Sequence, residues 1–242
     1  MEGDPLYGAG CLVRGGKMLG HPKLRPFVIV PLVVNVVIFG SLIGWGLGWL
    51  IDQVNRATAW LPEWLAFLEW ILWPLIGIAV ALVTGYAFTA VAILIASPFN
   101  ALLAEKAEEL ITGRPVAGLE GLGAALAGVP RGIFREIAKI IYYIPMALFV
   151  LILSFIPAIN AIAPLLWFLL GAWMMSLQFV DYPMDNHRCS FRDVRIAVGE
   201  RRLSSLGFGG LVAACASIPI LNFFVIPAAV VGATILYVEE LR

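Results

Sequence analysis

The sequence predicts an all-α integral membrane protein, and three observations carry that prediction. Hydrophobic residues make up 61% of the 242 residues and charged residues 13%, with a mean hydropathy of +0.94. That apolar share is well above the level of soluble domains. Four stretches, 26–51, 70–104, 140–180 and 203–238, contain no Asp, Glu, Lys or Arg. Two of them are interrupted by one shared pattern, Ile-Pro-x-x-Asn, in SFIPAINAIAP (154–164) and in ASIPILNFFVIP (216–227). The expected architecture is a single membrane domain over 1–242, with two long transmembrane helices, two Pro/Asn-broken helical hairpins and amphipathic cytoplasmic helices.

Residues 1–25 read as a cytoplasmic segment. They hold four basic and two acidic side chains and no apolar run of seven, so they lack the pattern of a cleavable signal. The first span, 26–51, then doubles as the insertion signal; its 26 residues suffice for one tilted crossing. The second stretch, 70–104, runs on into the charged, helix-favouring AEKAEELITG, which stops at Gly113 and Pro115. It is expected as one span that continues into water to about residue 112. Trp64, Trp70 and Trp73 mark its start as an interfacial aromatic belt.

Pro157 with Asn160, and Pro219 with Asn222, split the stretches 140–180 and 203–238 into arms of 16 to 20 residues. A 16-residue arm reaches about 24 Å, short of a hydrocarbon core of about 30 Å. Both turns are free of charge, so each pair of arms is expected to enter, turn within or near the far edge of the bilayer, and return. Backbone broken at that depth must be sheltered by protein or line a wet cavity, so the chain is expected to form a homo-oligomer, a dimer or larger, or to fold its two hairpin tips together. Two pairs of short full spans are the alternative. Asn160 and Asn222 are expected to cap the turns.

Fifteen of the sixteen Lys and Arg residues lie outside the loop 52–69, which holds only Arg56 against Asp52, Glu63 and Glu69. Positive-inside reasoning therefore puts both termini in the cytoplasm. In 119–140, Leu119, Leu122, Leu126, Val129, Ile133, Ile137 and Ile140 recur every three or four residues, with Arg131, Arg135 and Lys139 on another stripe. That pattern predicts a helix at the headgroups, its basic stripe on anionic lipid. In SFRDVRIAVGERR, Ser190 and Asp193 form a capping-box start, and Phe191, Val194 and Val198 an apolar side. Glu105, Lys106, Glu108 and Glu109 read as a solvated helix face.

Chemistry-bearing constellations are scarce. His21 and His187 have no neighbour at ligand spacing, and Cys11, Cys189 and Cys215 are scattered, so no metal, cofactor, catalytic residue or disulfide framework is expected. Nothing suggests nucleic acid as a partner. What stands out is GHPKLRPFVIVP (20–31), where Pro22 and Pro26 suit a first helical turn with amides free to point outward. Those amides, the positive helix end, Arg25 and Lys23 would make an anion site. A donor-only set suits sulfate, which has no proton to give at neutral pH, better than phosphate. Ordinary positive-inside anchoring by Lys23 and Arg25 is the plainer reading of the same residues.

HPKLRPFVIVPLVVN, ASPFNALLAEKAE, DYPMDNHRCSFRDVR and the two Pro-Asn hairpins, in that order along nearly the whole chain, resemble the CysZ sulfate permeases of bacteria. The resemblance implies an inner-membrane protein that takes up sulfate for cysteine biosynthesis, with proton dependence, two long spanning helices, two partly penetrating hairpins and an oligomeric assembly. The family's sulfate-binding Gly-Leu-Arg, commonly followed by a second Arg, falls on Lys23, Leu24 and Arg25, with Pro26 in place of the second Arg. Leu24 and Arg25 carry over; the Gly and the second guanidinium do not. Asn35, Asn100 and Glu105 match polar family positions and are expected along the permeation route. A non-transporting scaffold that binds lipid or a partner protein through basic helices is the competing class.

Overall fold

Six of the described helices have a proline in their first two positions, and glycine sets the closest contacts between them. The computed structural model describes residues 3–58, 69–116 and 129–242. Its helices are α1 (Pro5–Met18), α2 (Arg25–Thr58), α3 (Glu69–Thr112), α4 (Val129–Ser154), α5 (Pro157–Asn160), α6 (Ala163–Asn186), α7 (Phe191–Glu200), α8 (Arg202–Ala216) and α9 (Pro219–Leu236), which runs on into a π-helical turn at Tyr237–Leu241. Every regular element described is helical, as expected. Four segments are long and apolar enough to cross a membrane: Arg25–Trp45, Pro130–Ser154, Ala163–Asn186 and Phe224–Leu241.

The chain divides into two compact units, Ile29–Ala96 and Met1–Val28 with Ser97–Arg242. The first holds the apolar lengths of α2 and α3. Val36, Val37, Trp45, Trp49, Leu75 and Ile78 are exposed there, the side-chain distribution of helices built for a lipid solvent. Trp70 and Trp73 are also exposed at the start of α3. Trp64, the third member of the expected aromatic belt, and Leu119, Leu122 and Leu126 of the expected surface helix lie outside the described residues.

The second unit has a buried core built from α1, α6, α8, α9 and the polar end of α3. Helix α1, which the sequence reading leaves unassigned, is capped by Asp4, whose carboxylate accepts from the Leu6 amide at 2.9 Å, with Pro5 in the first turn. It buries Gly8, Cys11, Leu12 and Gly15 against α8 and α9. The approach is backbone to backbone: a Cβ on Gly15 would lie 2.5 Å from the Gly232 amide nitrogen, and one on Gly232 3.0 Å from Leu12 Cα. Close helix approach of this kind maximises dispersion contact where water supplies no driving force. Arg14 clamps the same helix to the C-terminal turn, donating to Glu239 at 2.7 and 2.5 Å, and Tyr7 donates to the same carboxylate.

The two Pro-Asn motifs do break helices. Pro157 opens α5, Pro164 lies in the first turn of α6, and Pro219 opens α9, so each ring fills a position whose missing N–H costs no helical bond. The expected capping by Asn160 and Asn222 is corrected: the N-caps are Ile156, Ile162 and Ile218, and none has a side-chain cap. Both asparagines are exposed within or at the end of helical turns. Ser154 closes the first hairpin instead, its Oγ donating to Val150 O at 2.8 Å and accepting from Trp167 Nε1 at 3.3 Å.

The arms of the first hairpin are longer than expected. Helix α4 has 26 residues and α6 has 24, about 39 and 36 Å at 1.5 Å per residue. The difference arises because each helix continues past the uncharged stretch into charged sequence. Residues 129–140 therefore form no separate helix at the headgroups; they are the first turns of α4. On length alone both arms of the first hairpin reach across a bilayer, whereas α8 of the second, with 15 residues, spans about 22 Å and keeps the length argument for a partial crossing. Helix α7 does begin with the expected capping box at Ser190 and Asp193, and Val194 and Val198 of its apolar side are fully buried in the protein core.

Candidate functional site

The mouth of α2 is built by a tight loop, Leu19–Leu24, between two helices. His21 organises it: its carbonyl accepts from the Leu24 amide at 3.0 Å and the Arg25 amide at 3.3 Å, and its Nδ1 accepts from the Lys23 amide at 3.3 Å. The Phe27 amide donates to Leu24 O at 3.1 Å. Pro22 and Pro26 have no amide hydrogen. The expected nest of outward amides is thus corrected, since those of Lys23, Leu24, Arg25 and Phe27 are engaged within the loop. Donors for an anion must come from side chains here.

Leu24 is fully buried, in one core cluster with Leu103, Ala104, Ala107 and Leu177, while Lys23 and Arg25 on either side are exposed. Leucine is the peg and the two cations are the presenting groups. Arg25 donates from Nε to Gly20 O at 2.9 Å, which fixes the plane of the guanidinium. Its Nη hydrogens have no protein partner among the described residues. A guanidinium held by Nε and open at both Nη atoms offers paired donors suited to a tetrahedral oxyanion.

The polar end of α3 is not a solvated face. Glu105 and Glu108 are 3% and 2% exposed. Lys106 bridges Glu109 at 2.9 Å and Glu105 at 3.0 Å, and these hydrogen bonds, to Glu109 above all, raise its pKa above the ordinary lysine value. The second oxygen of Glu105, Oε2, is buried with no hydrogen-bond partner. Asn100 Nδ2 lies 3.4 Å from the Tyr182 hydroxyl. Asn35 lies in α2, and its side chain is outside the described residues. Pro157, Asn160, Pro219 and Asn222 occupy the hairpin turns and no polar cluster.

His187 is not alone either. Its Nε2 lies 2.9 Å from both oxygens of Glu108, which Arg242 approaches at 3.3 Å. A cleft of about 450 Å³ opens beside this group, lined by Thr112, Arg114 and Val116 as well. Among the described residues, no cluster of His, Cys, Asp and Glu is arranged to hold a metal ion.

The basic stripe of α4 also has a different role from the expected one. Arg135 and Lys139 are 8% and 4% exposed, and they face α6 rather than headgroups. Lys139 Nζ lies 2.8 Å from Asp181 and 2.8 Å from Glu136; Arg135 pairs with Asp181 and, at 3.2 Å, with Asp185, which Arg131 meets at 2.8 Å. Arg135 Nη1 also donates to Cys189 O at 2.6 Å. Three cations and three carboxylates therefore balance inside the first hairpin. Each spacing was visible in the sequence, with Arg131, Arg135 and Lys139 four apart and Asp181 and Asp185 four apart on the returning arm. Opposite stripes at equal spacing on two arms of one hairpin are the signal that pairs them.

The family model described as Sulfate transporter CysZ/Etoposide-induced protein 2.4 matches residues 11–227. That range takes in the loop at the start of α2, the polar end of α3, the first proline hairpin and the second as far as the first half of α9.

Proposed function

The chain belongs to the sulfate transporter CysZ/Etoposide-induced protein 2.4 family, and from that membership we propose that it carries sulfate across the inner membrane of a bacterium, supplying sulfur for cysteine biosynthesis. The observation that carries the proposal is the family match over residues 11–227, which holds three of the four candidate spans and the start of the fourth, joined to an exposed guanidinium, Arg25, held in plane at the start of the first apolar helix. In this reading sulfate docks on Arg25, with Lys23 adding charge and Leu24 anchoring the loop that carries both.

Asn35, Asn100 and Glu105 are assigned to the route beyond that mouth, and the protein works as a homo-oligomer whose subunits shelter the hairpin turns. Proton dependence belongs to the same proposal. In the same proposal both termini lie on the cytoplasmic side, a reading the distribution of Lys and Arg supports. The scaffold alternative loses its main support, because Arg135 and Lys139 are consumed within the protein.

Radiolabelled sulfate uptake into proteoliposomes containing only this protein tests the proposal. Saturable uptake, competed by unlabelled sulfate and not by chloride, is the expected outcome. Correctly folded protein that moves no sulfate would leave the scaffold reading standing in its place.

A further inference from the structure

A second cleft, of about 470 Å³, lies where α4, α6, α7 and α8 meet, and nothing in the transport reading uses it. Tyr142, Trp173, Arg195 and Arg202 line it together with Ile196, Gly199 and Leu206. Trp173 Nε1 donates to the Tyr142 hydroxyl at 3.2 Å, which leaves that hydroxyl its own hydrogen to give. The guanidinium of Arg195 stacks over the Tyr142 ring, Cζ 4.7 Å from the centroid. Arg202 donates from Nε to Gly199 O at 3.0 Å. Among the described residues neither arginine has an acidic partner, and no carboxylate lines the cleft. Two stacked or braced guanidinia and one hydroxyl thus face an opening that contains donors and no acceptor of comparable charge.

The depth of this cleft selects the ligand. Tyr142 stands three residues beyond Lys139, where α4 passes from its ion-paired start into uncharged sequence. Exposed Ile141, Leu169, Ile196 and Leu203 belong to the same four helices, each within four residues of a lining side chain or itself lining the cleft. Arginine, tryptophan and tyrosine gathered at such a boundary are the side chains that meet a phospholipid at its phosphate. We infer that the Arg195–Arg202–Tyr142 cleft binds the phosphate of an anionic phospholipid, whose acyl chains run along the exposed aliphatic side chains beside it. The site is separate from Arg25 and holds whether or not the chain moves sulfate.

Native mass spectrometry of the purified full chain, titrated with dioleoyl phosphatidylglycerol, dioleoyl phosphatidylcholine or inorganic phosphate, tests it. At about one decade less affinity per one and a half lost cations, Arg195→Ala with Arg202→Ala is expected to weaken phosphatidylglycerol binding about thirtyfold and to change phosphatidylcholine little. Tyr142→Phe keeps the ring and the fold and is expected to weaken phosphatidylglycerol about threefold by removing one donor. If the double variant does not fold, Tyr142→Phe and Arg202→Gln decide the matter singly. Undiminished phosphatidylglycerol binding in the folded variants overturns the inference. So does displacement of the lipid by millimolar inorganic phosphate, which would make the cleft a site for free oxyanions.

Discussion

Replacing Asp181 by alanine removes the carboxylate that Arg135 and Lys139 share inside the first hairpin. The acid is 6% exposed, Lys139 lies 2.8 Å from it, and Arg135 grips both of its oxygens. Deleting one member of a buried ion pair costs about 3–5 kcal/mol, because the partner keeps its desolvation penalty. Here Glu136 remains 2.8 Å from Lys139 and Asp185 3.2 Å from Arg135, so the lower end of that range, about 3 kcal/mol, is the expected loss. For a chain of this size that corresponds to about 6–12 °C in Tm, measured by intrinsic fluorescence or light scattering on heating in detergent. A triple change to Met at Arg135 and Lys139 and Leu at Asp181 removes all three charges together and is expected to recover most of the loss. If Asp181→Ala melts within a degree of wild type, the cations do not depend on α6, and the surface-helix reading of residues 129–140 returns.

Three further outcomes follow from the packing and the ionisation. Gly15→Val places a side chain against the backbone of α9 at a point where even a Cβ lies 2.5 Å from the Gly232 amide nitrogen; a loss of about 3 kcal/mol or more is expected, read as a lower Tm and a smaller monodisperse fraction on size exclusion. Leu24→Ala empties a fully buried position, which costs about 2–5 kcal/mol and should raise the KM for sulfate uptake more than it lowers the maximal rate, by loosening Arg25. The Cys11 thiol is fully buried, and desolvation pushes its pKa up from 9.0 to about 11. Its raised value favours the folded state fully below pH 9.0 and progressively less up to about 11, so a thermal melt should fall across that window and Cys11→Ala should flatten the fall. At pH 8 maleimide should label Cys11 in denatured protein and leave it untouched when folded.

Helix character, membrane class and the helix breaks were legible in the sequence for physical reasons that act locally. Proline at 157 and 219 supplies no N–H to continue the preceding helix and suits the first turn of the next, and charge-free runs longer than a span have one solvent available to them. The end of α3 was equally local: Gly113, at φ 68°, supplies the left-handed residue that stops the helix one residue after Thr112. What escaped depends on partners far along the chain. Periodicity located the stripe Arg131, Arg135 and Lys139 without telling what it faces, since Asp181 lies 46 residues from Arg135. Glu108 looked solvated because His187 and Arg242, its partners, are 79 and 134 residues away. Helix α1 was hidden by its short, partly polar composition, although Gly8, Cys11 and Gly15 form a small-residue stripe at intervals of three and four. At the mouth of α2 the sequence located Lys23 and Arg25, but not the loop bonds to His21 that occupy the amides.

The account rests on one guanidinium presenting its Nη donors to sulfate at the start of α2. Equilibrium binding of labelled sulfate to the purified protein, wild type against Arg25→Ala, tests that most directly. Loss of a charge-assisted bond predicts binding weaker by about 10- to 150-fold with the elution volume on size exclusion and the Tm unchanged. Equal affinity in the two proteins would contradict it and move the anion to some other part of the chain.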